Sequence, residues 1–217
     1  IELYDEGLIY RGERLVNWDI RLQTALSDLE VIAEEKQGFL WFLKYPLENN
    51  EFITIATTRP ETMLGDTAIA INPEDKRYNS LIGKTINLPL SNRNIPIIGD
   101  SYVDPEFATG CVKITPAHDF NDFDIGKRHN LELINILNFD GTLNENVPKD
   151  FVGLSREDAR KKVIKEMELL GLLEKTEPYK IIIPTGEKSN SVLEPLMTNQ
   201  WFINQKELSE EAIKVVK

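Results

Sequence analysis

Apolar residues fall in short runs separated by glycine, proline, asparagine and aspartate, and only a few stretches carry a helical period. Gly38 to Tyr45 (GFLWFLKY) and Phe52 to Ala56 (FITIA) are rich in aromatic and β-branched residues and read as two strands. The link between them, Pro46 to Glu51, contains the turn signal Asn49-Asn50, so the pair predicts an antiparallel hairpin. Further strands are expected at Ala68 to Ile71, Thr85 to Leu88, Ile95 to Ile98 and Cys111 to Thr115. Gly83, Pro89, Gly99-Asp100 and Asp104-Pro105 punctuate them, and Pro116 stops the last because it brings no N–H to a ladder. Leu131 to Leu137 reads as one more strand, closed by a turn at Asp140-Gly141, and Tyr179 to Pro184 as another. Strands this short and frequent favour a barrel or sandwich over alternating βαβ units.

The clearest helix runs from Arg156 to Leu170. Ser155 is its natural N-cap, Asp158 stands at the capping-box position, and Gly171 is the stop. Ala159, Val163, Met167 and Leu170 form its apolar stripe. Glu207 to Lys217 reads as a second helix, with Leu208, Ala212 and Val215 on one face. Ile1 to Tyr10 reads as a helix tail turning at Gly7, and Ser191 to Gln200 as a loop before Trp201-Phe202-Ile203.

Composition narrows the function classes. The 217 residues are 41% hydrophobic and 28% charged, enough for a core beneath a polar surface. No apolar run approaches the roughly 20 residues that span a bilayer. Lys+Arg 25 against Asp+Glu 36 gives −11, a poor balance for general nucleic-acid binding but compatible with one local pocket for a single strand's end. Cys111 is the single cysteine, so neither a disulfide frame nor a cysteine zinc site is available. The start at Ile1 and the end at Lys217 within a helical pattern suggest a piece of a longer chain.

Two stretches carry candidate chemistry. In Phe107 to Asp124 (FATGCVKITPAHDFNDFD) a short strand delivers His118, Asp119, Asp122 and Asp124 into a loop, a common way to present a site. Asp119 to Asp122 would equally serve as a capped helix start running through Gly126 to His129. In the second stretch, Thr57, Thr58, Arg59, Glu61 and Thr62 end the apolar strand from Phe52. A guanidinium there is a donor fork suited to phosphate or carboxylate, and the hydroxyls can read a small polar ligand. The plainer alternative is a surface ion pair between Arg59 and Glu61. Together the stretches predict one pocket, with Arg59 and hydroxyls on one side and Lys113, Thr115 and the aspartates on the other. His118, Asp119 and Asp122 lack a diagnostic metal-ligand spacing, and the expected site holds no metal.

Four runs carry a family resemblance that covers essentially the whole chain: GLIYRGERLVNWD (Gly7 to Asp19), ATTRPETMLGDTAIAI (Ala56 to Ile71), TGCVKITPAHDFNDFDIG (Thr109 to Gly126) and VLEPLMTNQWF (Val192 to Phe202). They resemble the valyl-tRNA synthetases, at the editing domain (connective peptide 1) inserted in the class I catalytic core. HDFND, without a glycine after the histidine, favours the valyl over the isoleucyl members. The resemblance implies post-transfer editing, the hydrolysis of threonyl-tRNA(Val). A hydrophobic pocket rejects a hydroxyl-bearing isostere poorly, so a second, polar sieve is needed; valyl-tRNA synthetase is the standard case of that argument.

By resemblance, the catalytic set is Asp122, which binds the α-amino group, with Asp119, Lys113 and Thr115 reading the threonine hydroxyl and His118 beside them. Arg59, Thr57, Thr58, Glu61 and Thr62 bind the substrate, and Phe107 forms a wall against the adenine. A positioned water, helped by the tRNA's terminal hydroxyl, completes the reaction without a cofactor. ATP and Mg belong to the catalytic core, whose HIGH-like and KMSKS-like signatures are absent from these 217 residues. Ala108 and Cys111 stand where Gly and Ala are common, and both are small. The implied partners are the aminoacylated 3′ end of valine tRNA and the rest of a parent synthetase. A cytoplasmic monomer with no membrane contact is expected. The expected fold is α+β and β-rich: a barrel of short, mostly antiparallel strands with flanking helices over residues 29–178. A connecting stalk (1–28) and a return segment (179–217) complete it. Two other functions stay open, a non-catalytic module positioning the aminoacylated 3′ end and a metal-dependent hydrolase unrelated to tRNA.

Overall fold

In the computed structural model, residues 1–47, 51–91 and 93–216 are described. The first expected hairpin is present: β3 (Val31–Pro46) and β4 (Phe52–Thr57) pair antiparallel from Trp41↔Thr57 to Pro46↔Phe52. The Leu47 N–H closes it on the Glu51 carbonyl at 2.8 Å, while the turn expected at Asn49-Asn50 lies outside the described residues. The other edge of β3 pairs with β9 (Leu173–Gly186), whose register shifts between Phe42 and Leu43. A second sheet joins β5 (Ala68–Ile71), β6 (Thr85–Asn87), β7 (Asn94–Gly99) and β8 (Cys111–Ile114) in the order β6-β7-β5-β8. Its β5–β7 pair is parallel. A third sheet, outside these, sets β1 (Ile9–Asp19) between β10 (Leu193–Ile203) and β2 (Thr24–Leu26).

The class is therefore α+β and strand-rich, but the described strands form three open sheets rather than one closed barrel. Leu43, Ile53, Ile55, Leu64, Ile69 and Ile71 are wholly buried where the first two sheets face each other. Each such side chain contributes about 1.5–3 kcal/mol by leaving water. Helix α3 (Arg156–Leu169) covers this core with Ala159, Val163 and Met167, and Ser155 caps it through the Asp158 N–H. Gly171 takes the expected positive φ, +71°. Leu170 does not join the stripe. The helix ends one residue earlier, which turns its side chain to solvent.

Several sequence readings change. Ser191 to Gln200 is mostly strand, because β1 pairs with it in register from Ile9↔Ile203 to Asp19↔Leu193. Pro195 and the polar tail of that segment hide an alternation that only the partner strand makes visible. Leu131 to Leu137 forms no ladder beyond a single bridge, Leu137↔Leu143. Its backbone groups go elsewhere: the Ile136 N–H to the His118 ring, and the Asn135 carbonyl to the amides of Asn144 and Asn146. The N-terminal helix, α1 (Glu2–Asp5), turns at Gly7 as expected, yet a strand begins by Ile9. Residues 178 and 179 both lie within β9, whose pairing with β3 runs from Leu173 to Gly186. Helix α4 (Lys206–Val216) ends the described chain, and no helix among the described residues is long and apolar enough to cross a membrane.

Candidate functional site

Strand β4 ends at Thr57, and its chain continues through Thr58 and Arg59 into a buried 3-10 turn, Pro60–Gly65. Pro60 suits that start, since its missing N–H has no partner to lose. The Thr57 hydroxyl accepts from the Arg59 N–H at 3.0 Å, and the Thr62 hydroxyl donates to the Arg59 carbonyl at 3.0 Å. Beside it, β8 presents Lys113 and Thr115, then turns at Pro116 into helix α2 (Phe120–Arg128). Asp119 is the N-cap of α2, taking the N–H groups of Asn121 and Asp122 at 2.8 and 3.1 Å. The capped-helix reading is borne out, and the same cap leaves Asp119 and Asp122 beside the cavity described next.

The two runs line one cavity of ≈ 320 Å³. Thr57, Thr58, Arg59, Thr62, Lys113, Thr115, His118, Asp119 and Asp122 form its walls, with Phe107 half-exposed and Leu40 and Tyr179 also contributing. Lys113 Nζ donates to Thr62 Oγ1 at 2.8 Å, Thr115 Oγ1 at 2.5 Å and Asp66 Oδ1 at 3.2 Å. All three ammonium protons are therefore committed inside the protein. Thr115 Oγ1 gives its own proton to Asp66 Oδ1 at 2.6 Å, and Tyr45 OH donates to Asp66 Oδ2 at 2.7 Å. Burial pushes the Asp66 carboxyl up, while Lys113 and these hydroxyls pull it down. Asp122 Oδ2 accepts the Thr115 N–H at 2.8 Å. Its pKa is pushed up to about 7, first by burial and then by the Asp119 charge, against Lys113 and the Thr115 N–H.

Two expected members are held by other parts of the protein. His118 is 1% exposed, and its Nε2 accepts the Ile136 N–H at 2.9 Å. Burial, with Arg59 and Lys113 nearby, lowers its pKa to about 3, so the ring stays neutral with that lone pair occupied. Such a ring braces the loop 131–136 from the cavity wall. Glu61 turns away from the cavity. It is 2% exposed and binds Arg160 through both oxygens at 2.8 and 2.7 Å, with Arg59 Nε 3.8 Å away. The pair expected between Arg59 and Glu61 exists at 3.8 Å, with Glu61 buried and the Arg59 side chain partly exposed. Cys111 is inert, its thiol pushed up to about 12 by burial.

Sequence reading missed Asp66, Tyr45 and Glu194. Asp66 carried a signal, an acid two residues before the wholly apolar β5. Glu194 lay in a run singled out only for its resemblance, and its segment was read as loop.

The whole chain, residues 1–217, matches the family model described as tRNA synthetases class I (I, L, M and V). It is 58% identical over 218 residues to a valine--tRNA ligase of Legionella pneumophila (strain Paris) and 59% identical over 217 residues to one of Francisella tularensis subsp. tularensis. Each alignment covers 100% of this chain and 24% of the relative, so the chain spans about a quarter of their length. Among solved structures it is similar to the LeuRS of Agrobacterium radiobacter K84 in a ternary LeuRS–tRNA–LeuAMS complex, with TM-score 0.50 and 19% identity over 89% of this chain and 32% of that one. That likeness concerns the fold.

Proposed function

The chain belongs to the class I tRNA synthetases of the I, L, M and V group, and from that premise we propose that it is an editing deacylase that hydrolyses threonyl-tRNA(Val). The observation that carries the reading is the meeting of Arg59 with Lys113, Thr115 and Asp122 on one cavity, from runs far apart in sequence. The cavity suits an esterified amino acid with a polar β-substituent. Thr62 and Thr115 have spent their hydroxyl protons on the Arg59 carbonyl and Asp66, and each also accepts from Lys113. What each still offers a ligand is an acceptor lone pair. A threonine hydroxyl can donate to it, whereas a valine methyl leaves it unpaired at a cost of about 1–3 kcal/mol. Asp122, ionised above its pKa of about 7, offers its free oxygen to the ligand's ammonium group. Arg59 and the half-exposed Phe107 suit a phosphate and a base at the mouth. Water then adds to the ester carbonyl, the ester C–O bond breaks, and threonine leaves the restored terminal hydroxyl of the tRNA.

The test is deacylation of threonyl-tRNA(Val) and valyl-tRNA(Val) by this chain. Threonyl ester loss well above the spontaneous rate, with valyl ester untouched, is the expected outcome. Asp122→Ala should abolish it. Retained binding of the tRNA end with no hydrolysis by the unaltered chain would refute the deacylase reading and leave a positioning module.

A further inference from the structure

Arg59 is held more tightly than a ligand-binding side chain needs to be. Its Nη1 donates to the His118 carbonyl at 2.8 Å, and its Nη2 pairs with a Glu194 carboxylate oxygen. Glu194 sits on β10 opposite Trp18, in a sheet from which none of the first cavity's lining residues comes. Its other oxygen pairs with Arg156 Nη1 at the start of α3. Arg160, one turn along, holds Glu61. Arg156, Glu194, Arg59, Glu61 and Arg160 thus form an alternating line of charge with one positive charge in excess. A second cavity of ≈ 540 Å³ lies beside this line. Thr58, Arg59 and Asp119 belong to both cavity walls, while Glu194, Arg156 and Arg160 line only the second. Arg59 is therefore part of the partition, with Thr58 and Asp119, and its side chain remains 30% exposed against 6% for Glu194. Of the five N–H groups of a guanidinium, His118 and Glu194 take one each, so others remain for a ligand.

We propose that Glu194 is a positioning residue for the candidate site: its buried carboxylate fixes the Arg59 guanidinium on the partition, so that the outer sheet sets the geometry of a cavity it does not line. A long side chain fixed before the ligand arrives has less rotamer freedom left to lose on binding. The proposal rests on the deacylase reading for its consequence, but not for its geometry.

The experiment is NMR of the chain with 13C,15N-labelled arginine. Arg59 signals are assigned by their disappearance in Arg59→Lys. A pinned guanidinium gives separate Nη–H signals. They should be resolved in the unaltered chain, merge in Glu194→Gln, and stay resolved in Arg156→Gln, which removes the neighbouring charge but leaves Glu194 to Arg59. Glu194→Asp, which keeps the charge and shortens the reach, replaces Glu194→Gln if that variant does not fold. Averaged signals in the unaltered chain, or resolved ones in the Glu194 variant used, overturn the proposal. This reading needs no hydrolysis, so a chain that leaves threonyl-tRNA(Val) intact sinks the deacylase function alone. With hydrolysis present, Glu194→Gln should raise KM about tenfold with little change in kcat, and add nothing in an Arg59→Gln background. Additive effects in that double variant would overturn the proposal.

Discussion

Replacing Asp122 by Asn should make the protein more stable, and increasingly so as pH rises. The side chain is buried beside Asp119, and its pKa rises from an ordinary 3.8 to about 7. A carboxyl whose folded pKa is raised binds its proton more tightly in the folded state. Its favourable contribution is therefore fully present below pH 4 and is lost as pH climbs towards 7. Each pH interval of one between the two values is worth 1.36 kcal/mol, so the ionised Asp122 costs up to about 4 kcal/mol above pH 7. Asparagine keeps a carbonyl oxygen for the Thr115 N–H and has no charge to desolvate. Urea unfolding of both proteins between pH 4 and pH 8 measures the difference. With an m-value of about 3 kcal/mol/M, the midpoint of Asp122→Asn should lie roughly 1 M higher at pH 8. The two should converge near pH 4. Acid also weakens carboxylates held below their ordinary values, such as Asp19 and Asp100, but does so equally in both proteins. A gap that stays flat across this range, or a variant less stable at pH 8, would refute the reasoning. The same substitution should abolish deacylation, so the site would carry its charge at the expense of the fold.

Two further predictions concern single positions, one beneath the cavity and one in a tight turn. Asp66→Asn strands the buried Lys113 ammonium and should cost about 3–5 kcal/mol in urea unfolding; adding Lys113→Met should recover most of it, since the pair goes together. Gly110 has φ +74°, and a Cβ there would stand 2.5 Å from Arg77 Nη2 and 2.8 Å from the Pro105 carbonyl. Gly110→Ala should therefore lose the Arg77–Pro105 hydrogen bond as well as suffer left-handed strain, and cost about 1.5–3 kcal/mol more than Gly83→Ala, where φ is +86° and the space is open.

Much of the fold and site was legible because local signals are strong where they were used. Pro116 ends β8, Asp119 and Ser155 cap their helices, and FITIA is a strand. Thr57 to Thr62 and Lys113 to Asp122 stood out as polar groups leaving apolar strands. What local pattern cannot give is the packing of β4 against β8, which brings those groups face to face. Nor does it give the rotation of the 3-10 turn, which sends Thr62 inward to Lys113 and Glu61 outward to Arg160. His118 looked chemical among aspartates, and only tertiary contact reveals that its lone pair is taken by Ile136. Glu194 and the rest of β10 depended on a partner strand more than 170 residues away in the chain.

The β1–β10 ribbon has a mechanical consequence. Ile9 and Ile203 are partners at one end of the ladder, and Trp18 faces Glu194 next to the other. Tension applied between residues 9 and 203 would open the ribbon like a zipper, one rung after another from Ile9. The rung that bears Glu194 is next to last, so the clamp on Arg59 is shielded until almost the whole ribbon has parted.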